Sequence, residues 1–136
     1  MKDRDWKLSS STNNKTSKST KALGDAAELT ACDFLERSGL ILKATNYQCK
    51  LGEIDLIMLE QQVLVFVEVR MRNSEGYGSG AETVTLSKQT KIIRTAQHFL
   101  SANPHLSNQD CRFDVVSLSK NKQKIDWYKN AFTLDR

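Results

Sequence analysis

The sequence predicts one α/β domain in which a mixed β-sheet is flanked by helices, in the order α-β-β-β-α-β-β. Two observations lead to this fold class. Apolar residues recur at helical spacing in two segments, and five other segments are rich in β-compatible residues and bounded by turn-forming stretches. The length of 136 residues, with 39% hydrophobic and 26% charged residues, is that of a globular chain with one core. We therefore predict a single domain over residues 21–136.

The segment before this domain differs in charge and composition. Residues 1–21 hold six of the 20 basic residues and two of the 16 acidic residues, which leaves fourteen of each sign in the remainder. A basic tail rich in Ser, Thr and Asn can add weak, salt-sensitive affinity for nucleic acid, although a solvating leader is the more common role. We predict that residues 1–20 form a disordered basic tail.

No segment resembles a targeting or membrane-spanning sequence. The N-terminal residues contain no apolar stretch that could act as a signal peptide, and Asp3 and Asp5 disfavour a mitochondrial transit peptide. No apolar run approaches the roughly 20 residues that cross a bilayer. We expect a cytoplasmic protein without a membrane partner.

The first helix is predicted from apolar residues that recur along one face as a stripe. It ends near Gly39, where a glycine C-cap is expected. The residues of the stripe are Leu23, Ala26, Ala27, Thr30, Ala31, Phe34 and Leu35. Residues 40–47 follow as a strand, because they are rich in apolar and β-compatible side chains. We expect the chain to pass directly from this helix into the sheet.

Residues 53–59 and 63–70 are predicted to form a β-hairpin, because only Gln61 and Gln62 clearly separate them. The near-continuous Val/Phe run of the second strand predicts burial on both faces, as in a central strand. A two-residue loop would set the register of the whole hairpin, although Gln-Gln is not a favoured tight turn.

This register brings two acidic residues together. Asp55 lies directly across from Glu68 on the same face of the sheet, and Arg70 projects from that face two residues later. A slip by two residues keeps the three side chains on one face, whereas a slip by one separates them. Two carboxylates on central strands repel each other and are costly to bury, and a divalent cation removes both problems. Oxygen ligands with positions left for water and phosphate suit Mg²⁺ or Mn²⁺.

A third acid, Glu28, lies beside the apolar stripe of the first helix, at the border between core and solvent. It can reach an edge of the sheet from there, although an ordinary surface glutamate has the same spacing. For the hairpin acids, the alternative is a plain salt bridge of Asp55 with Arg70 or Arg112. Glu68 is harder to explain in this way, because a charge inside an apolar strand normally has a partner or a ligand.

The second half of the chain is predicted as loop, helix and two strands. Glycines mark residues 71–85 as a loop, and Ser87 is predicted to cap the second helix. The buried stripe of this helix is Ile92, Ile93, Ala96, Phe99 and Leu100. Asn103-Pro104 ends the helix, and residues 111–118 and 124–128 are predicted as strands separated by a Lys/Asn turn.

Several ordered motifs resemble those of the YraN family, over roughly residues 21–133. They are GEIDLI at 52–57, FVEVR at 66–70, Tyr77-Gly78, Ser87-Lys88-Gln89, RFDVV at 112–116 and Ala131-Phe132. The resemblance implies a restriction-endonuclease-like core, similar to that of archaeal Holliday-junction resolvases, with a metal site of the PD-(D/E)xK type.

The resemblance also implies roles for individual residues. Asp55 matches the first acidic metal ligand, Glu68 the second and Glu28 the acid on the helix. The carbonyl of Val69 is implied as a further ligand. Arg70 stands at the basic position, where the superfamily usually has lysine. An arginine stays protonated and cannot act as a base, but its guanidinium can clamp the scissile phosphate and stabilise its charge.

Four further residues are candidates for contacts with nucleic acid. Lys88, Lys91 and Arg94 recur every three residues along the second helix and could contact backbone phosphates, although a solvated helix face explains them equally well. Tyr77 in the glycine-rich loop could close over a strand or stack on a base, and an unstructured connector is at least as common.

The expected function follows from these residues and the resemblance. We expect a cytoplasmic endonuclease that uses Mg²⁺ or Mn²⁺ to hydrolyse phosphodiester bonds in DNA, with branched or damaged structures as candidate substrates. Two alternatives stay open: a nucleic-acid-binding module of the same fold without turnover, and a nuclease directed at RNA. Resolvase-like enzymes often work as dimers, so a homodimer is a further expectation.

Overall fold

A computed structural model describes residues 19–72, 84–121 and 123–133 of the chain. The helices in these ranges are α1 (Ser19–Arg37) and α2 (Leu86–Ala102), with a short 3₁₀ helix at Pro104–Leu106. The strands are β1 (Ile41–Cys49), β2 (Gly52–Glu60), β3 (Val63–Met71), β4 (Asp110–Leu118) and β5 (Ile125–Phe132). Residues 1–18 of the predicted tail, and Tyr77, lie outside the described residues.

The five strands form one mixed sheet in the order β1-β2-β3-β4-β5. β3 and β4 are parallel and are connected through α2, whereas the other neighbouring strands are antiparallel. This confirms the mixed α/β architecture, with β3 in the centre as its apolar run predicts. The observed order differs from the predicted one by the 3₁₀ helix between α2 and β4. It starts at Pro104, because proline ends an α-helix and suits the first turn of a new one.

The two helices cover opposite faces of the sheet. On one face, Ala31 and Leu35 of α1 pack in a cluster with Val65 and Val67 of β3. The cluster on the other face includes Leu64 and Phe66 of β3 with Ile92, Ala96 and Phe99 of α2. Successive residues of β3 thus alternate between two apolar clusters. Burying each such apolar side chain stabilises the fold by roughly 1.5–3 kcal/mol. Burying a charged side chain costs free energy instead, so a charged residue on this strand needs a specific partner.

The hairpin of β2 and β3 confirms the predicted loop and register. Glu60 pairs with Val63, so Gln61 and Gln62 form the two-residue loop. Gln61 adopts a left-handed conformation with φ of 57°, as tight hairpin loops require. The pairing of two long apolar strands therefore outweighs the poor turn propensity of a Gln-Gln pair.

The N-terminus of α2 differs from the prediction, which placed the cap at Ser87. The N-cap is Thr85, whose Oγ1 accepts a 3.1 Å hydrogen bond from the backbone N–H of Lys88. Thr85 has extended backbone angles, whereas Ser87 lies within the first helical turn. An N-cap residue must lie just outside the helix so that its side chain can accept a hydrogen bond from one of the first unpaired N–H groups. Thr85 meets this condition and Ser87 does not.

Most elements extend beyond their predicted ends, and β2, β3 and β4 do so by a single residue at an end. α1 begins at Ser19, two residues before the predicted domain boundary at 21. β1 continues to Cys49 and β5 to Phe132, because pairing with their neighbours carries both strands further than their apolar pattern. In the part of the chain that the structure describes, no helix has both the length and the apolar character of a membrane-crossing segment.

A buried polar network ties β4 to its neighbours. Asp114 is fully buried and accepts hydrogen bonds from Arg112 and from Nε1 of Trp127. The backbone N–H of Asn130 also donates to Asp114, at 2.9 Å. Arg112 makes a second ion pair, with Glu60 at 2.6 Å. The alternative that Asp55 forms a salt bridge with Arg112 is therefore wrong, since the Arg112 guanidinium pairs with Asp114 and Glu60 instead.

Candidate functional site

The β2–β3 ladder ends one step before the two predicted acidic residues. Its last pair is Leu56 with Val67. Beyond this pair, the carboxylate of Asp55 accepts a 2.8 Å hydrogen bond from the backbone N–H of Val69. A side chain thus occupies the position at which a carbonyl of β2 would continue the ladder. The backbone pairing opens here, and Asp55 and Glu68 lie at this opening.

A residue that the sequence analysis missed, Asn46, supports the site from β1. It has a left-handed φ of 50°, a conformation that asparagine tolerates better than most residues. Its Nδ2 donates a 3.1 Å hydrogen bond to Oε1 of Glu28 on α1, and Glu28 in turn is hydrogen-bonded to Asp55. The only signal in the sequence was an asparagine within a predicted strand, where this residue type is depleted.

Glu68 is buried in the sheet and paired with a cation from α2. It is 6% exposed, and its Oε2 lies 3.2 Å from Nζ of Lys88. The side chain of Lys88 is 48% exposed, so it contacts both the acid and solvent. The sequence analysis identified Lys88 as a phosphate contact but not as the partner of Glu68. The two residues lie on different elements, and only the packing of α2 on the sheet brings them together.

Burial changes the protonation of all three acids. It raises the pKa of Asp55 to about 7, and the neighbouring charge of Glu28 acts in the same direction. Burial first, and repulsion from Asp55 second, raise the pKa of Glu68 to about 7, although two nearby cations oppose this. The pKa of Glu28 is also raised, mainly by burial. With pKa values of about 7, Asp55 and Glu68 take up protons near neutral pH, and an additional positive charge nearby would stabilise their ionised forms.

The residues at the opening could supply oxygen atoms to a divalent cation, two of them from side chains. Among the described residues, no three His, Cys, Asp or Glu side chains are placed so that they could hold a metal ion together. Asp55 and Glu68 supply two carboxylates, and the carbonyl of Val69 points to the same side of its strand as the N–H that binds Asp55. Two carboxylates, a carbonyl and water match the oxygen ligands that Mg²⁺ takes. The role of Glu28 as a further ligand stays a prediction.

The predicted basic residues lie at different distances from these acids. Arg70 is half-buried two residues beyond Glu68, close enough to lower the pKa of that acid. Lys91 is exposed on α2, one turn beyond Lys88. Arg94 is also exposed. Side chains three residues apart differ in direction by about 60° around the helix axis, so Arg94, six residues after Lys88, points about 120° away from it. The structure thus brings Arg70 and Lys88 to the acids and leaves Arg94 apart.

Comparison with other proteins finds relatives over most of the chain. A family model described as uncharacterised protein family UPF0102 matches residues 27–118. A UPF0102 protein of Saccharophagus degradans is 54% identical over 112 residues, which cover 82% of this chain and 93% of the relative. Relatives from Nitrosomonas europaea and Legionella pneumophila are 47% and 43% identical, over 80% and 83% of this chain and 92% and 96% of their own. All residues of the candidate site lie inside the matched region.

Proposed function

We propose that this chain, which belongs to the uncharacterised protein family UPF0102, is a metal-dependent endonuclease that hydrolyses phosphodiester bonds in DNA. The family match also confirms the predicted YraN relationship. The observation that carries the proposal is the burial of Asp55 and Glu68 where the β2–β3 ladder opens, close enough for Asp55 and two cations to shift the pKa of Glu68. Buried carboxylates next to cations suit the joint binding of a divalent ion and a phosphate.

We further propose that the sheet is a restriction-endonuclease-like core. Three features support this assignment. An antiparallel β1-β2-β3 meander is followed by the parallel strand β4, α2 makes the crossover between β3 and β4, and helices cover both faces. The acids Asp55 and Glu68 lie on the second and third strands of the meander.

In the proposed mechanism, Asp55, Glu68 and the carbonyl of Val69 would hold Mg²⁺ or Mn²⁺. When bound, such an ion supplies an acidified water and neutralises charge that develops on the phosphate. Glu28 acts as a positioning residue, because its hydrogen bond orients the carboxylate of Asp55. The guanidinium of Arg70 contacts a phosphoryl oxygen and stabilises the charge of the transition state.

A cleavage assay tests the proposal directly. The purified protein is incubated with four-way junction, flap, single-stranded and duplex DNA in Mg²⁺ or Mn²⁺. We expect cleavage of at least one substrate, and its loss in Asp55→Ala, in Glu68→Ala and after chelation. Glu36→Ala is the matched control, since it removes an exposed acid of α1 outside the site. Cleavage that persists in both site variants would identify a contaminant and overturn the proposal.

A second candidate is a nucleic-acid-binding module without turnover. One observation favours it: Lys88 already compensates the charge of Glu68 from 3.2 Å, so part of the site is neutralised by the protein itself. DNA binding without cleavage in any metal, at equal affinity in wild type and Asp55→Ala, would support this candidate. The same assay with RNA of matching sequence tests the third alternative, an RNA-directed nuclease. A homodimer and a cytoplasmic location stay predictions.

A further inference from the structure

A cavity of about 430 Å³ lies beside Lys88, the residue that pairs with Glu68. It opens between the end of the β1–β2 hairpin and the first turns of α2. Its lining includes Gln48, Cys49, Gly52, Glu53, Lys88 and Lys91. Lys88 belongs both to this cavity and to the acid site, because its Nζ also pairs with Glu68. A ligand in the cavity would therefore contact Lys88, which pairs with the candidate metal ligand Glu68.

The two walls of the cavity differ in charge. The α2 wall is formed by Lys88, Lys91 and Ile92, so its two charged residues are both basic. The hairpin wall presents an amide and a carboxylate that are joined to each other, since Nε2 of Gln48 donates a 3.0 Å hydrogen bond to Oε1 of Glu53. An ammonium has three N–H donors, and pairing with Glu68 leaves Lys88 with donors for another anion. The α2 wall suits a phosphate, and the hairpin wall suits the polar edge of a base.

The distance between the two walls is set by Gly52. A Cβ at this position would lie 3.1 Å from Oγ1 of Thr95 and 3.5 Å from Cβ of Lys91. The absence of a side chain therefore lets α2 approach the hairpin closely. Because Gly52 of the hairpin packs directly against α2, both walls of the cavity are held in place by the packing of these elements and are preformed.

We propose that this cavity binds one nucleotide of an unpaired DNA strand, with its phosphate on Lys88 and Lys91. The inference rests on the proposed function and names the form of DNA that the site accepts. A volume of this size lies in the range of roughly 300–1,000 Å³ typical of small-ligand sites. It admits one nucleotide whose base is out of the stack, whereas a duplex keeps its bases paired and stacked inside.

The location of the cavity separates this proposal from general attraction to a basic helix. Lys88, Lys91 and Arg94 carry the same charge on the same helix, but Arg94 is not among the residues that line the cavity. General attraction would depend equally on all three residues. Binding in the cavity depends on Lys88 and Lys91 and not on Arg94.

Binding measurements without metal test this difference. The anisotropy of a short fluorescein-labelled oligothymidylate is followed in EDTA, so that no cleavage occurs, with wild type and with Lys88→Met, Lys91→Met and Arg94→Met. We expect Kd to rise about tenfold in the two cavity variants and less than about twofold in Arg94→Met. The slope of log Kd against log salt should fall by about 0.7 for each lost contact. Equal losses in all three variants, or equal affinity of wild type for duplex and single strand, would overturn the proposal.

A thiol footprint on the wild-type protein gives a readout that needs no variant. Cys49 lines the cavity, whereas Cys111, which is also partly buried, lies on β4 outside it. Alkylation by N-ethylmaleimide is mapped by peptide mass spectrometry with and without saturating oligothymidylate. We expect the oligonucleotide to slow alkylation of Cys49 several-fold and to leave Cys111 unchanged. Unchanged alkylation of Cys49 under saturation would overturn the cavity assignment, even if a lysine variant fails to fold.

The outcomes also separate this proposal from the nuclease proposal. Protection of Cys49 without cleavage in any metal would retain the cavity and reject the nuclease. Cleavage that depends on Asp55, without protection of Cys49 by bound DNA, would retain the nuclease and reject the cavity.

Discussion

The side chain of Asp55 and the backbone N–H of Val69 are joined by a 2.8 Å hydrogen bond. This contact replaces a backbone pair of the β2–β3 ladder, which ends at Leu56 and Val67, one step before the two acids. A carboxylate that is nine-tenths buried is thereby held in place by the backbone of the strand that carries Glu68. The candidate site therefore depends on sheet geometry as much as on residue identity.

The acids should make stability depend on pH. Asp55 and Glu68 have pKa values of about 7 in the folded chain, above the ordinary values of 3.8 and 4.5. The folded state thus holds protons that the unfolded state has released, so the free energy of unfolding should fall as pH rises from about 4 to 7 and then level off. We expect a loss on the order of a few kcal/mol in EDTA, measured from urea midpoints.

The variants Asp55→Asn and Glu68→Gln should flatten this profile, because they keep the shape of the side chains and remove the titration. Glu36→Gln, which changes an exposed acid of α1, should leave the profile unchanged. A free energy of unfolding that rises between pH 5 and 7 in wild type, or a profile that is equally steep in the site variants, would contradict the prediction.

Divalent metal should stabilise the folded protein where the acids are ionised. At pH 8, Mn²⁺ at a hundredfold excess over its Kd should add about 2.7 kcal/mol to the free energy of unfolding. The resulting rise in Tm is measured by differential scanning fluorimetry, and Asp55→Asn and Glu68→Gln should abolish it. A rise of equal size in these variants would place the metal elsewhere on the protein.

The buried network of β4 should be sensitive to loss of its acid. Asp114→Ala leaves the Arg112 guanidinium without its 3.0 Å partner and removes the acceptor for the Trp127 indole N–H, so we expect a loss of roughly 3–5 kcal/mol. Asp33→Ala is the matched control, because its 2.8 Å pair with Arg37 is exposed and should contribute less than about 1 kcal/mol. Urea denaturation measures both, and losses of similar size would contradict the role of burial.

The start of α2 should depend on Thr85 and not on Ser87. Only the hydroxyl of Thr85 accepts the backbone N–H of Lys88, so Thr85→Ala should cost about 1 kcal/mol. Ser87→Ala should stay within about 0.5 kcal/mol of wild type. Thermal unfolding measures the loss of stability in both variants. A larger loss in Ser87→Ala than in Thr85→Ala would identify Ser87 as the cap.

Much of the sheet was predictable from local patterns. The two-residue loop at Gln61 and Gln62 fixes the hairpin register, which holds as far as Leu56 and Val67, one step before Asp55 and Glu68. The apolar run of β3 indicates a central strand because both of its faces are covered. These predictions succeed since the alternation of side chains in a strand is a local property of the backbone. The segment between Asn103 and β4 was predicted less completely, because a 3₁₀ turn is too short to leave a periodic pattern.

The contacts that make the candidate site were decided by tertiary structure. Asn46 reaches Glu28 because a left-handed residue turns its side chain toward α1, and Lys88 reaches Glu68 because α2 packs across the sheet. Periodicity shows which side of an element is buried, but not which residue of another element lies opposite it. That choice depends on how the helices lie on the two faces of the sheet, and it determines which charges surround Asp55.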